Sequence, residues 1–464
     1  MMTSKSWTRK LDLDTIMIIL IVVSIITLVL ETTLARLYIF LYPGPQSLQF
    51  NILLFATGII VFSVAHSLIL VNIRKRLKEL FKTGQHRLKI VFQFITVVQF
   101  ILSGLLVLVL FQILNDLSYQ TSLIIGIVSI SYVSGIFNLI ILSERFIRWI
   151  HSHRSYVSLL FGCATLSILV NTIITMTFIV SVLLSQPNNI GWHIGILTAT
   201  FTGINDTLRQ LYSLSFIIAY IITWLATVTV LHTYSHRLGK VKFWAFVILP
   251  LLYIIGEFQI LILPLLSEYR SADPVTFTIA YTLIFSTIKF VGAFFFGIGF
   301  WAMARKVEQK SLKSFLNISA YGLILLFVTN QATLLLNTLF PPLGLMTACF
   351  VGLSTFLLLI GIFSSAINVS QNRELRREFY NTAKSELNLL RTIGVAEMEK
   401  ELMKKYKSID KRTRSLEEQT SPEKDGIKEA LHGLVDEIDK DKAREILHEV
   451  LTELYAKTRT TDKS

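Results

Sequence analysis

The sequence has little of what soluble domains and enzymes use. Only 16% of its 464 residues are charged, whereas soluble domains carry about 25%. Its two cysteines, Cys163 and Cys349, both lie inside apolar runs, which excludes a disulfide framework or a cysteine-based metal motif. It also lacks a phosphate-binding loop, a zinc-protease helix motif and a nucleophile elbow. We therefore predict that the protein is not an enzyme and has no cofactor and no metal site.

Apolar residues are abundant instead. They make up 53% of the chain, and the mean hydropathy is +0.60. A helix that crosses a bilayer needs about 20 apolar residues in a row. The sequence has ten such runs, at residues 15–41, 49–72, 90–114, 121–142, 155–184, 211–233, 243–266, 275–303, 314–336 and 343–367. We predict an all-α, polytopic integral membrane protein with about ten transmembrane helices.

The net charge of +13 is unevenly distributed. From residue 370 onward, 20 basic and 20 acidic residues cancel, so the whole positive excess belongs to the first 369 residues. A basic soluble domain would suggest nucleic acid as a partner. Because the excess lies among apolar runs, the predicted partner is the lipid bilayer, and no nucleic acid.

The basic residues also predict the orientation of the chain. Twenty of them lie at the N-terminus or between an even-numbered run and the next odd-numbered one, whereas the opposite connections and adjoining run ends hold three. Loops rich in lysine and arginine stay in the cytoplasm. We therefore expect both termini in the cytoplasm and the protein in the cell membrane. The 16-residue apolar stretch Asn189–Ile204 is too short for a span, and we interpret it as an interfacial or re-entrant segment on the outer face.

The composition changes sharply after residue 369, which predicts four regions. Residues 1–369 form the transmembrane domain, 370–409 a juxtamembrane helix that continues the last span, 410–425 a polar linker and 426–464 an amphipathic helical hairpin or docking module. Apolar stripes in the last region cannot bury themselves alone. We expect coiled-coil-like pairing with a second copy or a cytoplasmic protein. The alternative is a helix that lies on the membrane, which the balanced charge of the tail disfavours.

A lysine and a glutamate in the membrane raise a functional question. Glu257 lies about 14 residues from the start of the seventh run and Lys289 about 14 from the start of the eighth, so antiparallel helices would bring them to similar depth. The pair is either a structural ion pair or a ligand- or ion-sensitive pair that lines a polar cavity. The candidate binding residues are Glu257, Lys289, Gln259 and Asn330. The candidate outer-face residues are Trp192, His193, Asp206 and Arg209.

Two functions fit these patterns. The first is a membrane sensor or signalling scaffold, because a last span that continues into the tail could relay a change in the bundle to the cytoplasm. The second is a secondary transporter of a small solute or ion, because ten spans divide into two five-span halves of opposite orientation. The sixth run lacks the glycine or proline at which transporter helices usually break. This absence disfavours the transporter.

The topology can be tested by cysteine labelling of intact cells. Single cysteines at positions 75, 154, 240 and 310 should be protected from a membrane-impermeant reagent, and those at 118, 205 and 270 should react, because the excess of 20 basic residues over three places the first group inside. Labelling of position 310 from outside would contradict the ten-span arrangement.

Overall fold

The chain is described here from a computed structural model. It divides into two compact units, Met1–Met398 and Glu399–Ser464. The described residues are 19, 22–24, 26–27, 45–82, 86–152, 155–191, 203–232, 239–251, 271–307, 309–330, 332–336, 340–371, 389–390, 392–398 and 400. For residues 78–82, 86–87, 242, 245–246, 274, 278, 281–290 and 333–334 the description covers the backbone alone.

The described chain is helical apart from two three-residue strands. Its elements, in chain order, are α1 (Pro45–Lys82), α2 (His86–Asp116), β1 (Ser118–Gln120), α3 (Thr121–Ser152), α4 (Tyr156–Leu184), β2 (Asn189–Gly191), α5 (Ile204–His232), α6 (Lys240–Ile248), α7 (Pro274–Lys306), α8 (Lys310–Thr329), α9 (Ala332–Leu336) and α10 (Leu345–Gln371). A 3₁₀ turn, Leu249–Leu251, follows α6. Residues 392–398 are also helical.

Seven of these helices are long and apolar enough to cross a membrane. They are α1, α2, α3, α4, α5, α8 and α10. The prediction of a polytopic helical membrane protein is therefore confirmed. Of the other predicted spans, the first lies almost wholly outside the described residues, the seventh is described only for α6 and its 3₁₀ turn, and the eighth corresponds to the 33-residue α7. The total of ten spans thus stays a prediction.

Exposure of apolar side chains differs strongly between the helices. On the peripheral helix α1, Ile60, Val64, Leu68 and Val71 are exposed and recur at helical spacing, as lipid-facing residues do. In α10, by contrast, all residues of the 18-residue apolar stretch are buried. In the corresponding stretch of α2, only 33% of the residues are buried. The helix α10 is therefore enclosed by other helices, and the rim of the bundle presents apolar side chains that fit a bilayer.

Antiparallel helices α8 and α10 pack with their backbones in close contact. A Cβ atom at Gly322 of α8 would lie 2.9 Å from the carbonyl carbon of Leu357, and one at Gly361 of α10 would lie 2.8 Å from the Phe315 oxygen. Only glycine fits at such distances. Lipid tails are as apolar as side chains, so helices in a bilayer associate through close packing of this kind.

Helix α3 runs parallel to α10 along a polar seam. Its contact residues recur every seven residues: Ser131 donates to Ala348 O at 2.7 Å, and Asn138 Nδ2 donates to Gly352 O at 3.2 Å. One further repeat places the Arg145 guanidinium 4.5 Å from the centre of the Phe363 ring. The small and polar face of this helix, which consists of Ser131, Ser134, Gly135 and Asn138, is a packing face for α10.

The connection between α2 and α3 pairs with the connection between α4 and α5 as a short two-stranded ribbon. Strands β1 and β2 are antiparallel, with Tyr119 opposite Ile190. The Tyr119 ring stacks on Phe340 with ring centres 6.0 Å apart, and burial raises the pKa of its hydroxyl. The first three residues of the predicted interfacial segment 189–204 thus form a strand, and residues 192–202 lie outside the described part.

An exposed aspartate caps the start of α7. Asp273 accepts a hydrogen bond from the Thr276 backbone N–H at 3.1 Å, and Pro274 follows it at the first helical position. Both residue types are typical of a helix start. Hydrogen bonds from Thr276, foremost that of its side chain, lower the pKa of Asp273.

The glycine contact between α8 and α10 predicts a sharp contrast between two substitutions. Gly322→Ala should lower the free energy of unfolding by about 1–3 kcal/mol, because the new methyl group would overlap the α10 backbone. Gly104→Ala on α2 is the matched control, since no atom lies within 4 Å of the position where its Cβ would be placed. The measurement is thermal unfolding of both variants in the same detergent. Equal stability of the two would contradict the close contact.

Candidate functional site

The predicted charge pair falls largely outside the described part of the structure. Glu257 and Gln259 are not described, and Lys289 is described for its backbone alone. That backbone lies at the midpoint of α7, 15 residues after Pro274 and 17 before Lys306. The mid-membrane depth of Lys289 and its pairing with Glu257 both stay predictions.

The predicted outer-face residues are described in part. Trp192 and His193 lie outside the described residues. Asp206 and Arg209 form an ion pair at 2.6 Å within the first turns of α5, and both side chains are exposed. An exposed pair of this kind contributes little to stability. In the described structure these two charges therefore form a surface ion pair within the first turns of α5.

Asn330 lies at an interruption of the ninth predicted span. Helix α8 ends at Thr329, and α9 begins at Ala332. The Asn330 backbone N–H caps α8 by donating to Leu326 O at 2.9 Å, with ψ at 63°. Interrupted helices occur within membranes only where protein or a polar cavity surrounds the backbone. The surroundings of Asn330 meet this condition.

A buried network of amides and hydroxyls joins this interruption to α4 and α5. The Asn330 Nδ2 donates to Asn171 Oδ1 at 2.8 Å and to Thr172 Oγ1 at 3.3 Å, and Asn171 Nδ2 donates to Ser215 Oγ at 2.9 Å. Asn171, Thr172 and Asn330 are at most 3% exposed. Three helices thus meet at one uncharged polar cluster, which we call the Asn330 cluster (Asn171, Thr172, Ser215 and Asn330).

A small cavity adjoins the Asn330 cluster. Asn171 and Asn330 form its polar wall, and Ile168, Phe216 and Phe327 are part of its apolar wall. About 10 Å³ is open to the centre of a water molecule, which is close to the minimum that holds one water. The cavity is therefore sized for a single small particle.

Aromatic rings hold the apolar wall of this cavity. Phe327 packs on Phe296 with ring centres 4.6 Å apart, and Tyr220 contacts both Phe216 and Phe327 edge-on or tilted. The Tyr220 hydroxyl is fixed in turn by donating to Pro250 O at 2.7 Å. Because such rings interdigitate with few alternatives, they give the cavity a defined shape.

A second buried polar group lies where α3 and α10 end. Glu397 is 2% exposed; its Oε2 accepts a hydrogen bond from Trp149 Nε1 at 3.2 Å, and its Oε1 lies 3.7 Å from Arg145 Nη1. The Arg145 guanidinium is held from the other side by the Phe363 ring. A carboxylate from the C-terminal part of the chain is thus bound at the end of the α3–α10 seam.

The residues around Glu397 pack against the bundle as a unit. We call residues 392–398 the docked segment; Ile393 and Ala396 are buried in it, and Leu389 and Leu390 are buried just before it. A Cβ at Gly394 would overlap the side chain of Val369 in α10. Twenty-five residues separate these two positions in the sequence, and one straight helix would hold them roughly 37 Å apart. The docked segment is therefore not a straight extension of α10, and the remainder of 370–409 lies almost wholly outside the described residues.

The sequence contains signals for Arg145 and Glu397, although neither is among the predicted site residues. Arg145 continues the seven-residue repeat of Ser131 and Asn138, so its place on the packing face of α3 follows from spacing. Glu397 follows Leu390 by seven residues, which places an acid on the apolar face of a helix. No signal pointed to Asn171 or Ser215, because single polar residues in apolar runs are common in membrane helices.

Comparisons with family models, with curated proteins and with solved structures found no match to this chain. The two features of the described residues that bear on function are the Asn330 cluster and the docked segment.

Loss of Glu397 should release the docked segment. Glu397→Gln removes the buried negative charge that faces Arg145, and breaking a buried pair costs about 3–5 kcal/mol. Backbone hydrogen exchange of residues 392–398 should then accelerate by roughly a hundredfold or more. Mass spectrometry of the purified protein measures this.

The matched control is Glu144→Gln on α3, the helix that carries Arg145. Glu144 pairs with Arg148 at an exposed site, so its loss should change stability by about 0.5 kcal/mol or less. Unchanged exchange in Glu397→Gln, or equal acceleration in both variants, would show that the carboxylate does not hold the segment.

Proposed function

We propose that the protein is a multi-pass sensor or signalling scaffold of the cell membrane, in which the docked segment reports the state of the bundle to the cytoplasm. The observation that carries the proposal is the burial of Glu397 between Arg145 and Trp149. A passive tail has no reason to bury a carboxylate at the end of a transmembrane seam. The 20-to-3 bias of basic residues supports ten spans with this end in the cytoplasm.

The charge pair favours two discrete states over a gradual change. When the segment is docked, the carboxylate and the guanidinium neutralise each other; when it is released, water solvates both. An intermediate with a separated but buried pair costs several kcal/mol, so it is scarcely populated. A switch needs a bistable element of this kind.

The α3–α10 seam supplies a route from the bundle to this switch. Arg145 and Trp149 belong to α3, whereas Val369 and Phe363, which contact the segment and Arg145, belong to α10. A shift of one helix along the other would therefore change the fit of Glu397. The apolar stripes at 427–438 and 446–455 are the surfaces that we expect a second copy or a cytoplasmic protein to bind.

Coupling is reciprocal, so the proposal can be tested without knowing the stimulus. If the bundle controls the docked segment, release of the segment must alter the bundle. In Glu397→Ala, hydrogen exchange should change at the far end of the seam, in residues 128–138 and 345–355, beyond the effect of the control Glu144→Ala. Exchange that changes in residues 392–398 alone would overturn the sensor proposal.

A secondary transporter is the second candidate, and the interruption of α8 favours it. Carriers place their binding sites at interrupted helices, and the Asn330 cluster lies at such an interruption. Glu257 and Lys289 would then be further binding residues. Concentrative uptake of labelled solute or sodium into proteoliposomes, lost in Asn330→Leu, would favour this candidate over the sensor.

A further inference from the structure

We propose that an anionic phospholipid binds at the groove between α1 and α2, with its headgroup phosphate held by Arg74, Lys75 and Lys89. The inference goes beyond the proposed function, because such a lipid can bind whether or not the docked segment relays a signal. It rests on the charge of this connection, on the register of the two helices and on the exposure of the three cationic side chains.

The connection between α1 and α2 is the densest run of basic residues in the membrane domain. Residues 74–89 contain seven lysines and arginines and one acidic residue, Glu79. Clusters of about four to eight basic residues directly beside a membrane helix are typical of segments that bind anionic lipids. Orientation in the membrane needs only an excess of positive charge, whereas a lipid site needs side chains that converge on one phosphate.

Two contacts set the register of the antiparallel helices α1 and α2. The hydroxyl oxygens of Ser63 and Ser103 lie 2.9 Å apart, and the ring centres of His66 and Phe100 lie 5.4 Å apart. Each residue forward in α1 from these pairs corresponds to one residue back in α2. By this register, Lys89 of α2 lies level with position 77 of α1.

Arg74 and Lys75 lie close to the level of Lys89. They precede the residue opposite Lys89 by three and two positions, which is about 4.5 Å and 3 Å along the helix axis. Arg74 follows Ser63 by 11 residues, and Lys89 precedes Phe100 by 11 residues. Eleven residues are about three helical turns, so both cations lie on the facing sides of α1 and α2. Three long cationic side chains thus flank one end of a single groove.

The three cationic side chains continue the lipid-facing surface of the two helices. Arg74, Lys75 and Lys89 are exposed. Lys75 follows the exposed Val71 by four residues, and Lys89 precedes Ile90, which is 64% exposed. The apolar run of α1 ends at residue 72 and that of α2 begins at residue 90, so the three charges lie where the lipid headgroups begin. The acyl chains of a bound lipid would contact Val71 and Ile90.

Charge and shape together select an anionic phospholipid among possible ligands. The guanidinium of Arg74 can bind phosphate through two parallel hydrogen bonds, and each lysine adds a mobile point charge. Each such group near the surface strengthens the binding of an anionic lipid by about fivefold. A soluble phosphate would use the same charges but would leave the adjoining apolar side chains without a contact. The lipid therefore matches the whole surface.

The test is lipid binding to the purified full-length protein in neutral detergent, counted by native mass spectrometry. Phosphatidylglycerol, which carries a net negative charge, is compared with phosphatidylcholine of the same acyl chains, which carries none. We expect one phosphatidylglycerol molecule to bind at least about tenfold more tightly than phosphatidylcholine. Glycerol phosphate, which has no acyl chains, should bind roughly a hundredfold more weakly than phosphatidylglycerol, because it makes no apolar contacts.

Neutral variants locate the lipid. The triple variant Arg74→Gln, Lys75→Gln, Lys89→Gln should lose the preference for phosphatidylglycerol, and Lys89→Gln alone should weaken it about fivefold. The matched control removes three exposed cations of the connection between α7 and α8, by Arg305→Gln, Lys310→Gln and Lys313→Gln; it should keep the preference. All six side chains are exposed, so both variants should fold, which thermal unfolding checks. Four basic residues remain in the first connection and maintain its orientation.

Three outcomes would overturn the proposal. Equal binding of phosphatidylglycerol and phosphatidylcholine would show that the groove does not select a negative charge. A preference that survives in the α1–α2 variant, or that falls equally in both triple variants, would show diffuse attraction to basic surface. Glycerol phosphate that binds as tightly as phosphatidylglycerol would identify a soluble phosphate ester as the ligand. None of these results depends on hydrogen exchange along the α3–α10 seam, so failure of the lipid site and failure of the sensor proposal can be told apart.

Discussion

Close contact of α10 with its neighbours is the constraint on which the rest of the structure depends. Lipid tails are as apolar as leucine, so hydrophobicity inserts these helices but does not hold them to one another. Backbone approach at Gly322 and Gly361, together with the hydrogen bond from Asn138 to Gly352, does so instead. The outcome is a central helix that is buried on all sides, and both candidate sites depend on it.

Each candidate site is a polar exception inside an apolar bundle. At the interruption of α8, asparagine and threonine side chains form a buried hydrogen-bond network beside the end of the helix. At the end of the α3–α10 seam, Glu397 is buried because Arg145 and Trp149 are already there. Helix α10 packs against both α8 and α3, so it links the element that carries the first site to the element that carries the second.

Sequence reasoning reached some of these features because they depend on spacing along one helix. The small and polar face of α3 follows from the spacing of Ser131, Ser134 and Asn138, and one further repeat reaches Arg145. Asn330 was selected as a candidate binding residue, and the structure places it beside a cavity. Asp206 and Arg209 were selected as well, but they pair on the surface of α5. The partners of Asn330 on α4 and α5 were missed because they come from different helices.

The sequence by itself determined that the chain enters a membrane as helices, since a run of about 20 apolar residues must satisfy its own backbone hydrogen bonds in lipid. It also predicted which connections between the helices are basic and that the composition changes after residue 369. Tertiary structure alone decided which helix lies at the centre, that Asn330 meets Asn171, and that Glu397 returns to Arg145 instead of extending away on a straight helix. These contacts join residues separated by more than 150 positions. Only helix packing chooses among the many ways in which such distant residues could meet.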